Sequence, residues 1–167
     1  MATKDLLCFL EYFADRDSVV DGSGNRTPTY QWQNFYQVAQ TLSVDANATG
    51  SYVYLAFDVN GFGSSGASSI NDLSVTAAAT AELVDITDAA IGADNLVIAS
   101  LYVQNAGEEE LDSGSAQLVS RYIGSIEGAS IDDQVVEWKV NPAINKLKPQ
   151  VPTRKITAGM LIRQLGE

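Results

Sequence analysis

Short runs of aromatic and β-branched residues, separated by turn-forming residues, recur along this chain of 167 residues. Such runs are typical of β-strands, and the glycine, asparagine and aspartate residues between them favour turns. The clearest run covers residues 51–59 and stops at the turn signal Asn60-Gly61. Strands are predicted over residues 5–14, 30–35, 51–59, 73–76, 96–103, 117–126 and 134–140. The chain is therefore expected to be mainly β, as an antiparallel barrel or sandwich.

Periodicity separates one helix from these strands. Leu83, Ile86 and Ala90 have the spacing of one helical face within residues 77–91, and Gly92 follows as a stop signal. Residues 5–14 are a short continuous apolar run, which fits either a buried strand or a short helix. A strand is favoured because a turn-rich stretch follows. The sequence thus predicts one short helix in a β-rich protein.

Residue types limit the chemistry that this sequence supports. It contains one cysteine, Cys8, and no histidine. These counts exclude an internal disulfide, a multi-cysteine metal site, and catalysis by Ser/His/Asp or Cys/His groups within this sequence. Cys8 lies in an apolar run and is predicted to be a core residue, as is Trp138 in the last strand. No catalytic residue, cofactor or metal ligand is predicted, and the protein is expected not to be an enzyme.

Charge is distributed very unevenly along the chain. Residues 1–137 contain twenty acidic and four basic residues, a net charge of −16, whereas residues 138–167 contain one acidic and six basic residues, a net charge of +5. An acidic body repels nucleic-acid phosphates. The simplest partner for the basic end is therefore an acidic copy of the same chain, a related subunit or the body of its own chain. A merely solvated end and nucleic-acid binding by this end are the alternatives.

The basic end is predicted to be an extended arm rather than part of the core. Its prolines, Pro142, Pro149 and Pro152, confine any strand there to an edge. We divide the single domain into a β-rich body, residues 1–140, and an arm, residues 141–167, with a short helix possible over residues 158–165. The arm residues expected to form an interface are Lys146, Lys148, Arg154, Lys155, Met160, Leu161, Ile162 and Arg163.

Membrane insertion and export are not expected. No stretch approaches the roughly 20 apolar residues that span a bilayer, and the amino terminus has no signal-peptide pattern.

The order of several short motifs resembles a known family. These motifs are Trp32-Gln33, the strand Arg121-Tyr122-Ile123 after the central hairpin, and the closing Pro152-Thr-Arg154. Over residues 5–160 the chain resembles the amino-terminal part of the lambda-type minor tail protein L family of tailed phages. The cysteine-rich region that follows in the lambda protein is missing here, so an iron–sulfur role does not carry over.

The resemblance implies a structural virion protein of the phage tail tip or hub, made in the host cytoplasm. It implies a ring, with a trimer favoured, that links the tail tube to tip or fibre proteins. DNA would contact it only in passage, and the acidic body would suit a lumen past which DNA slides.

A binding module is the alternative to a structural virion protein, and it belongs to a different functional class. A β-sandwich that binds carbohydrate or a host surface would use exposed aromatic residues, for which the sequence offers Tyr30, Trp32, Phe35 and Tyr36. Their alternation predicts that at least half of them point into the core. Carboxylate catalysis, by Asp132-Asp133 or by Asp58 with Asp72, is a remote third class.

Overall fold

A computed structural model describes residues 3–62, 72–108, 110–111 and 114–142. These residues form eight strands, one α-helix and a 3-10 turn at Arg16–Ser18. The strands are β1 (Lys4–Phe13), β2 (Tyr30–Gln33), β3 (Val53–Tyr54), β4 (Phe57–Asn60), β5 (Leu73–Ala78), β6 (Leu96–Asn105), β7 (Gln117–Ile131) and β8 (Val135–Pro142); the helix α1 (Ala81–Ala90) connects β5 to β6.

The eight strands form one curled sheet, a half-barrel, in the order β3-β2-β1-β6-β7-β8-β5-β4. The prediction of a mainly β protein with one short helix is confirmed. The sheet is mixed rather than wholly antiparallel, because β2 and β3 run parallel while every other neighbouring pair is antiparallel.

The predicted strand over residues 51–59 is two strands, which form the two edges of the sheet. β3 pairs with β2, and β4 pairs with β5. Between them, Leu55 N–H donates to the Gln33 carbonyl at 2.9 Å, and Ala78 N–H donates to the Ala56 carbonyl at 3.2 Å. One bent segment therefore joins both edges of the curled sheet, which a straight strand of this length does not do.

Helix α1 begins later than its predicted start at residue 77. Ala77 and Ala78 complete β5, where they pair with β8, so the helix starts only after the chain leaves the sheet. Thr80 caps it, accepting a hydrogen bond from Leu83 N–H at 3.2 Å. The predicted stop is confirmed: Gly92 has φ +80°, a conformation that glycine adopts readily.

The main core lies between α1 and the concave face of the sheet. The predicted core residues Cys8 and Trp138 are 4% and 2% exposed. The Trp138 indole N–H donates to Thr87 Oγ1 on α1 at 2.8 Å. Its ring also lies 6.2 Å from that of Trp32, although three strands separate β2 from β8 in the sheet order. The curl of the sheet thus lets distant strands share one core.

A second cluster covers the outer face of β1 and β6. Phe9 makes edge-to-face contacts with Tyr52 and Tyr102, with ring centroids 5.1 and 5.6 Å apart. Leu42 and Tyr36, from the chain between β2 and β3, are buried in the same cluster. Strand β1 is consequently buried on both faces, which explains its continuous apolar run.

Candidate functional site

The predicted interface residues lie outside the part of the chain that the structure describes. This holds for Lys146, Lys148, Arg154, Lys155, Met160, Leu161, Ile162 and Arg163. Strand β8 continues to Pro142, two residues past the predicted end of the body. The structure therefore describes the body that the arm is expected to contact, and the candidate site has to be found there.

The most concentrated set of charges in the described chain is a network on the outer side of the sheet, which is buried at Glu11 and Arg26, partly buried at Asp45 and exposed at Arg121. Arg26 donates from Nε and Nη2 to the two Glu11 carboxylate oxygens, at 2.7 and 3.0 Å. Its Nη2 also donates to Asp45 Oδ2 at 2.9 Å, and Arg121 Nη2 donates to the same oxygen at 2.5 Å. Two carboxylates and two guanidinium groups thus neutralise one another.

Neighbouring groups complete the network. The Tyr52 hydroxyl donates to Glu11 Oε1, and Arg121 Nε donates to Ser100 Oγ at 3.0 Å. Burial lowers the pKa of Arg26, but the hydrogen bonds and charges of Glu11 and Asp45 outweigh it and raise that pKa above its usual value. Burial and then the Glu11 charge raise the pKa of Tyr52. The network is therefore a fixed structural support, in which both carboxylates are already bound by cations.

Sequence reasoning missed this network, although one signal was present. Glu11 is the only charged residue in the otherwise apolar stretch 6–13, and it is 2% exposed. A charge inside a buried strand requires a partner. Its partners, Arg26 and Tyr52, come 15 and 41 residues later in the chain, and no local pattern indicates them.

The network also makes the remaining charge more one-sided. Residues 1–142 contain twenty acidic and five basic residues. Because the network holds two of each, eighteen acidic residues and three basic residues, Lys4, Arg16 and Lys139, remain outside it. The body therefore presents few cations of its own to its many carboxylates.

A groove runs between α1 and the ends of β1 and β2, with a volume of about 520 Å³. We call it the acidic groove; its lining residues are Tyr12, Ala14, Thr29, Tyr30, Glu82, Asp85, Ile86 and Ala89. The walls combine aromatic rings with small and aliphatic side chains.

The acidic groove has the chemistry of a receptor for cationic side chains. Glu82 and Asp85 are exposed and lie three residues apart, so they lie on one side of α1. Tyr12 and Tyr30 lie opposite, with ring centroids 6.3 Å apart. Burial, and then the nearby Tyr30, raise the pKa of Tyr12, which keeps this phenol neutral at ordinary pH. Carboxylates next to aromatic rings suit a lysine or arginine side chain with its apolar stem.

A second pocket, of about 430 Å³, opens elsewhere on the molecule and is lined in part by Cys8, Asn34, Asp58 and Phe62. Burial, with a smaller contribution from the Asp58 charge, raises the pKa of the Cys8 thiol to about 12. The thiol is thus protonated at neutral pH and is a poor nucleophile. The Asn34 side chain is already bonded to the Cys8 N–H at 3.0 Å.

Other candidate chemistry is not assembled in the described part of the chain. Asp132 and Asp133 are exposed at the turn between β7 and β8. Among residues 3–62, 72–108, 110–111 and 114–142, no group of three or more Cys, Asp and Glu side chains could hold a metal ion. In the same residues, no helix has the length and apolar character needed to cross a membrane.

Of the four aromatic residues considered for carbohydrate binding, two are in the core. Trp32 and Tyr36 are buried, whereas Phe35 is 42% exposed and Tyr30 is half-buried in the acidic groove. The prediction that at least half point inward is confirmed.

Comparison of the sequence with protein families and with curated proteins finds no match in either.

Proposed function

We propose that this chain is a structural virion protein of a phage tail tip or hub, and that assembly is its function. In this proposal copies form a ring, with a trimer favoured, that links the tail tube to tip or fibre proteins. The observation that carries it is the opposite charge of the two parts. Outside the network of Glu11, Arg26, Asp45 and Arg121 the body has eighteen acidic and three basic residues, while residues 143–167 have five basic residues and one acidic residue.

In this proposal the acidic groove is the binding site for part of the arm. The predicted interface residues from Arg154 to Arg163 place the apolar run Met160-Leu161-Ile162 between basic residues, Arg154 and Lys155 before it and Arg163 after it. Such a segment matches a groove in which Glu82 and Asp85 lie beside Tyr12 and Tyr30. We place this part of a neighbouring copy's arm in the groove.

An acidic body would also allow DNA to pass through the ring without being bound. Phosphates are repelled by a surface of the same sign, so a ring of such bodies would surround DNA without binding it. This part of the proposal rests on the resemblance to tail-tip proteins and on the charge.

The proposal is tested by the solution mass of the full chain, measured by light scattering at several concentrations and at low and high salt. A defined oligomer is expected at high concentration. Partial weakening at high salt is expected, because exposed charge pairs are screened over about 10 Å at 0.1 M salt while apolar contacts are not. A monomer at every concentration and salt would contradict self-assembly.

A carbohydrate- or host-surface-binding module is the second candidate. The observation in its favour is the same acidic groove, because Tyr30 with two carboxylates could stack on and hydrogen-bond to a sugar ring. A glycan screen with the full chain separates the two candidates. Glycan binding by a stable monomer supports the module.

A further inference from the structure

Strand β4 ends at the dipeptide Asn60-Gly61, which lies at one edge of the sheet. Asn60 is exposed and is the last residue of β4, where it pairs with Ser74. Gly61 follows with φ +107°, and a Cβ at this position would lie 2.7 Å from the Asp72 carbonyl oxygen. The backbone conformation and the lack of space therefore both require glycine after Asn60.

The Gly61 backbone nitrogen lies outside the β4–β5 ladder. Along an antiparallel strand, every second residue exchanges hydrogen bonds with the neighbouring strand. Ala78 N–H donates to the Ala56 carbonyl at 3.2 Å. By this alternation the Asn60 carbonyl also faces β5, and the N–H of the same peptide unit, which belongs to Gly61, points the opposite way. The Gly61 nitrogen can therefore react without losing a ladder hydrogen bond of its own.

The Asn60 side chain is accessible to this nitrogen. Its Nδ2 donates to Asp58 Oδ2 at 3.5 Å, the outer limit of a hydrogen bond. The pair with Ser74 is the last in the β4–β5 register, so opening of the strand end alone lets Asn60 leave the extended conformation. Asn47 and Asn105 are also exposed, but each precedes an alanine, whose Cβ hinders the nitrogen.

We propose that Asn60 is a site of spontaneous deamidation to aspartate and isoaspartate in the folded chain. The Gly61 nitrogen attacks Asn60 Cγ, a bond forms between them, and Nδ2 leaves as ammonia with the proton that Gly61 loses. Water then opens the resulting cyclic imide. Attack of water at Cγ gives aspartate, and attack at the backbone carbonyl carbon gives isoaspartate, in which the chain continues through Cγ. Water is the only co-reactant, and this chemistry is independent of the proposed function.

Either product changes this edge of the sheet. A carboxylate replaces the amide that donates to Asp58, so two like charges take the place of a hydrogen bond. Isoaspartate also adds a methylene group to the backbone, which shifts the chain after β4 out of register with β5. Because β4 is the last strand in the sheet order, the change is confined to the β4–β5 pair.

A second glycine dipeptide, Asp21-Gly22, could form the same cyclic imide by loss of water. Asp21 Oδ1, however, accepts hydrogen bonds from the N–H groups of Asn25 and Ser23 at 2.9 and 2.8 Å. These bonds hold the carboxylate in place and lower the pKa of Asp21, so it stays ionised and is a poor target for a nitrogen nucleophile. Isoaspartate is therefore expected at residue 60 and not at residue 21 of the folded chain.

The first test ages the full chain at pH 8 for several weeks beside a synthetic peptide of residues 56–65. Chymotryptic digests are analysed by mass spectrometry, and isoaspartate is identified with an isoaspartyl methyltransferase. Asn60 is expected to convert roughly tenfold faster than Asn47 and Asn105, because only Asn60 precedes glycine. In Asn60→Gln the longer side chain closes an imide far more slowly, so the new acidic form should be absent. An unchanged Asn60 in the chain, after the peptide has converted, would overturn the inference.

The second test asks whether the folded chain is the species that reacts. The rate at Asn60 is measured from zero urea up to the foot of the unfolding transition. Opening of a strand end exposes little surface, so the rate is expected to change by less than about twofold over this range. A rate that rises in proportion to the unfolded fraction would place the reaction in the unfolded chain and overturn the inference.

Discussion

Arg26 binds Glu11 through two parallel hydrogen bonds, Nε to Oε2 at 2.7 Å and Nη2 to Oε1 at 3.0 Å. The pair fixes the loop after β1 to the outer face of that strand, beneath the chain that leads from β2 to β3. Because both side chains are nearly excluded from water, each depends on the other for its solvation.

Removal of one partner is expected to destabilise the fold strongly. Arg26→Met should lower the free energy of unfolding by about 3–5 kcal/mol, because it leaves the buried Glu11 carboxylate without a cation. Glu11→Gln should lower it by less, because Asp45 still binds Arg26. Urea unfolding at pH 7 measures this. The double variant should lose clearly less than the sum of the single losses. Additive losses, or losses as small as that of the exposed control Asp88→Asn, would show that the two residues are not coupled.

Asp45 is expected to make the free energy of unfolding depend on pH in the acidic range. Burial raises the pKa of Asp45, but hydrogen bonds and charges from Arg26, Arg121 and the Asn47 N–H outweigh it and lower the pKa below its usual value. A lowered pKa stabilises the fold above the unfolded value, about 3.9, and this stabilisation is lost as pH falls through the folded value.

The fall in unfolding free energy from pH 5 to pH 2 should therefore be shallower in Asp45→Asn than in the parent chain. The difference is at most about 1.4 kcal/mol per pH unit, the effect of one proton. Urea unfolding across this pH range measures it, with Asp88→Asn as the exposed control. Identical slopes in Asp45→Asn and the parent chain would contradict the assignment.

Thr87 links helix α1 to Trp138 across the core. Its hydroxyl accepts from the indole N–H at 2.8 Å and donates to the Leu83 carbonyl at 2.6 Å. Thr87→Val keeps the shape but leaves the buried indole N–H unpaired, so a loss of about 1–3 kcal/mol is expected in urea unfolding. Thr76→Val, at a half-buried site on β5, should change stability by less than about 0.5 kcal/mol. Equal losses of stability in Thr87→Val and Thr76→Val would argue against the hydrogen bond between Trp138 and Thr87.

The acidic groove gives a prediction about assembly rather than stability. Replacing Glu82 with Gln and Asp85 with Asn together should weaken self-association about tenfold at low salt, and less at high salt, because charge pairs at an accessible groove are screened. The matched control replaces Asp132 and Asp133 with Asn, which removes the same charge elsewhere. Light scattering measures both. An equal weakening of self-association in the control would indicate a general effect of charge rather than binding in the acidic groove.

Much of the architecture follows from the sequence, for local reasons. Alternation and β-branched composition locate the strands, and Gly92 and the Leu83–Ala90 periodicity locate the helix. The division of residues 51–59 into β3 and β4 was not predictable, because it depends on two edges of a curled sheet meeting the same segment. The start of α1 was misplaced because Ala77 and Ala78 suit a helix by propensity, while pairing with β8 holds them in β5.

The candidate sites were less predictable than the fold. Glu11 and Arg26 are fifteen residues apart, and Asp45 and Arg121 are still further away, so only the tertiary structure reveals their contact. The acidic groove likewise joins Tyr12 and Tyr30 to carboxylates of a helix some fifty residues later.

The central claim, that the arm assembles copies of an acidic body, is tested most directly by comparing the full chain with a chain ending at Pro142. Light scattering gives the mass of each, and circular dichroism with urea unfolding confirms that the shorter chain keeps its β fold. The account predicts a defined oligomer for the full chain and a folded monomer for the shorter one. A shortened chain that forms the same oligomer would contradict it.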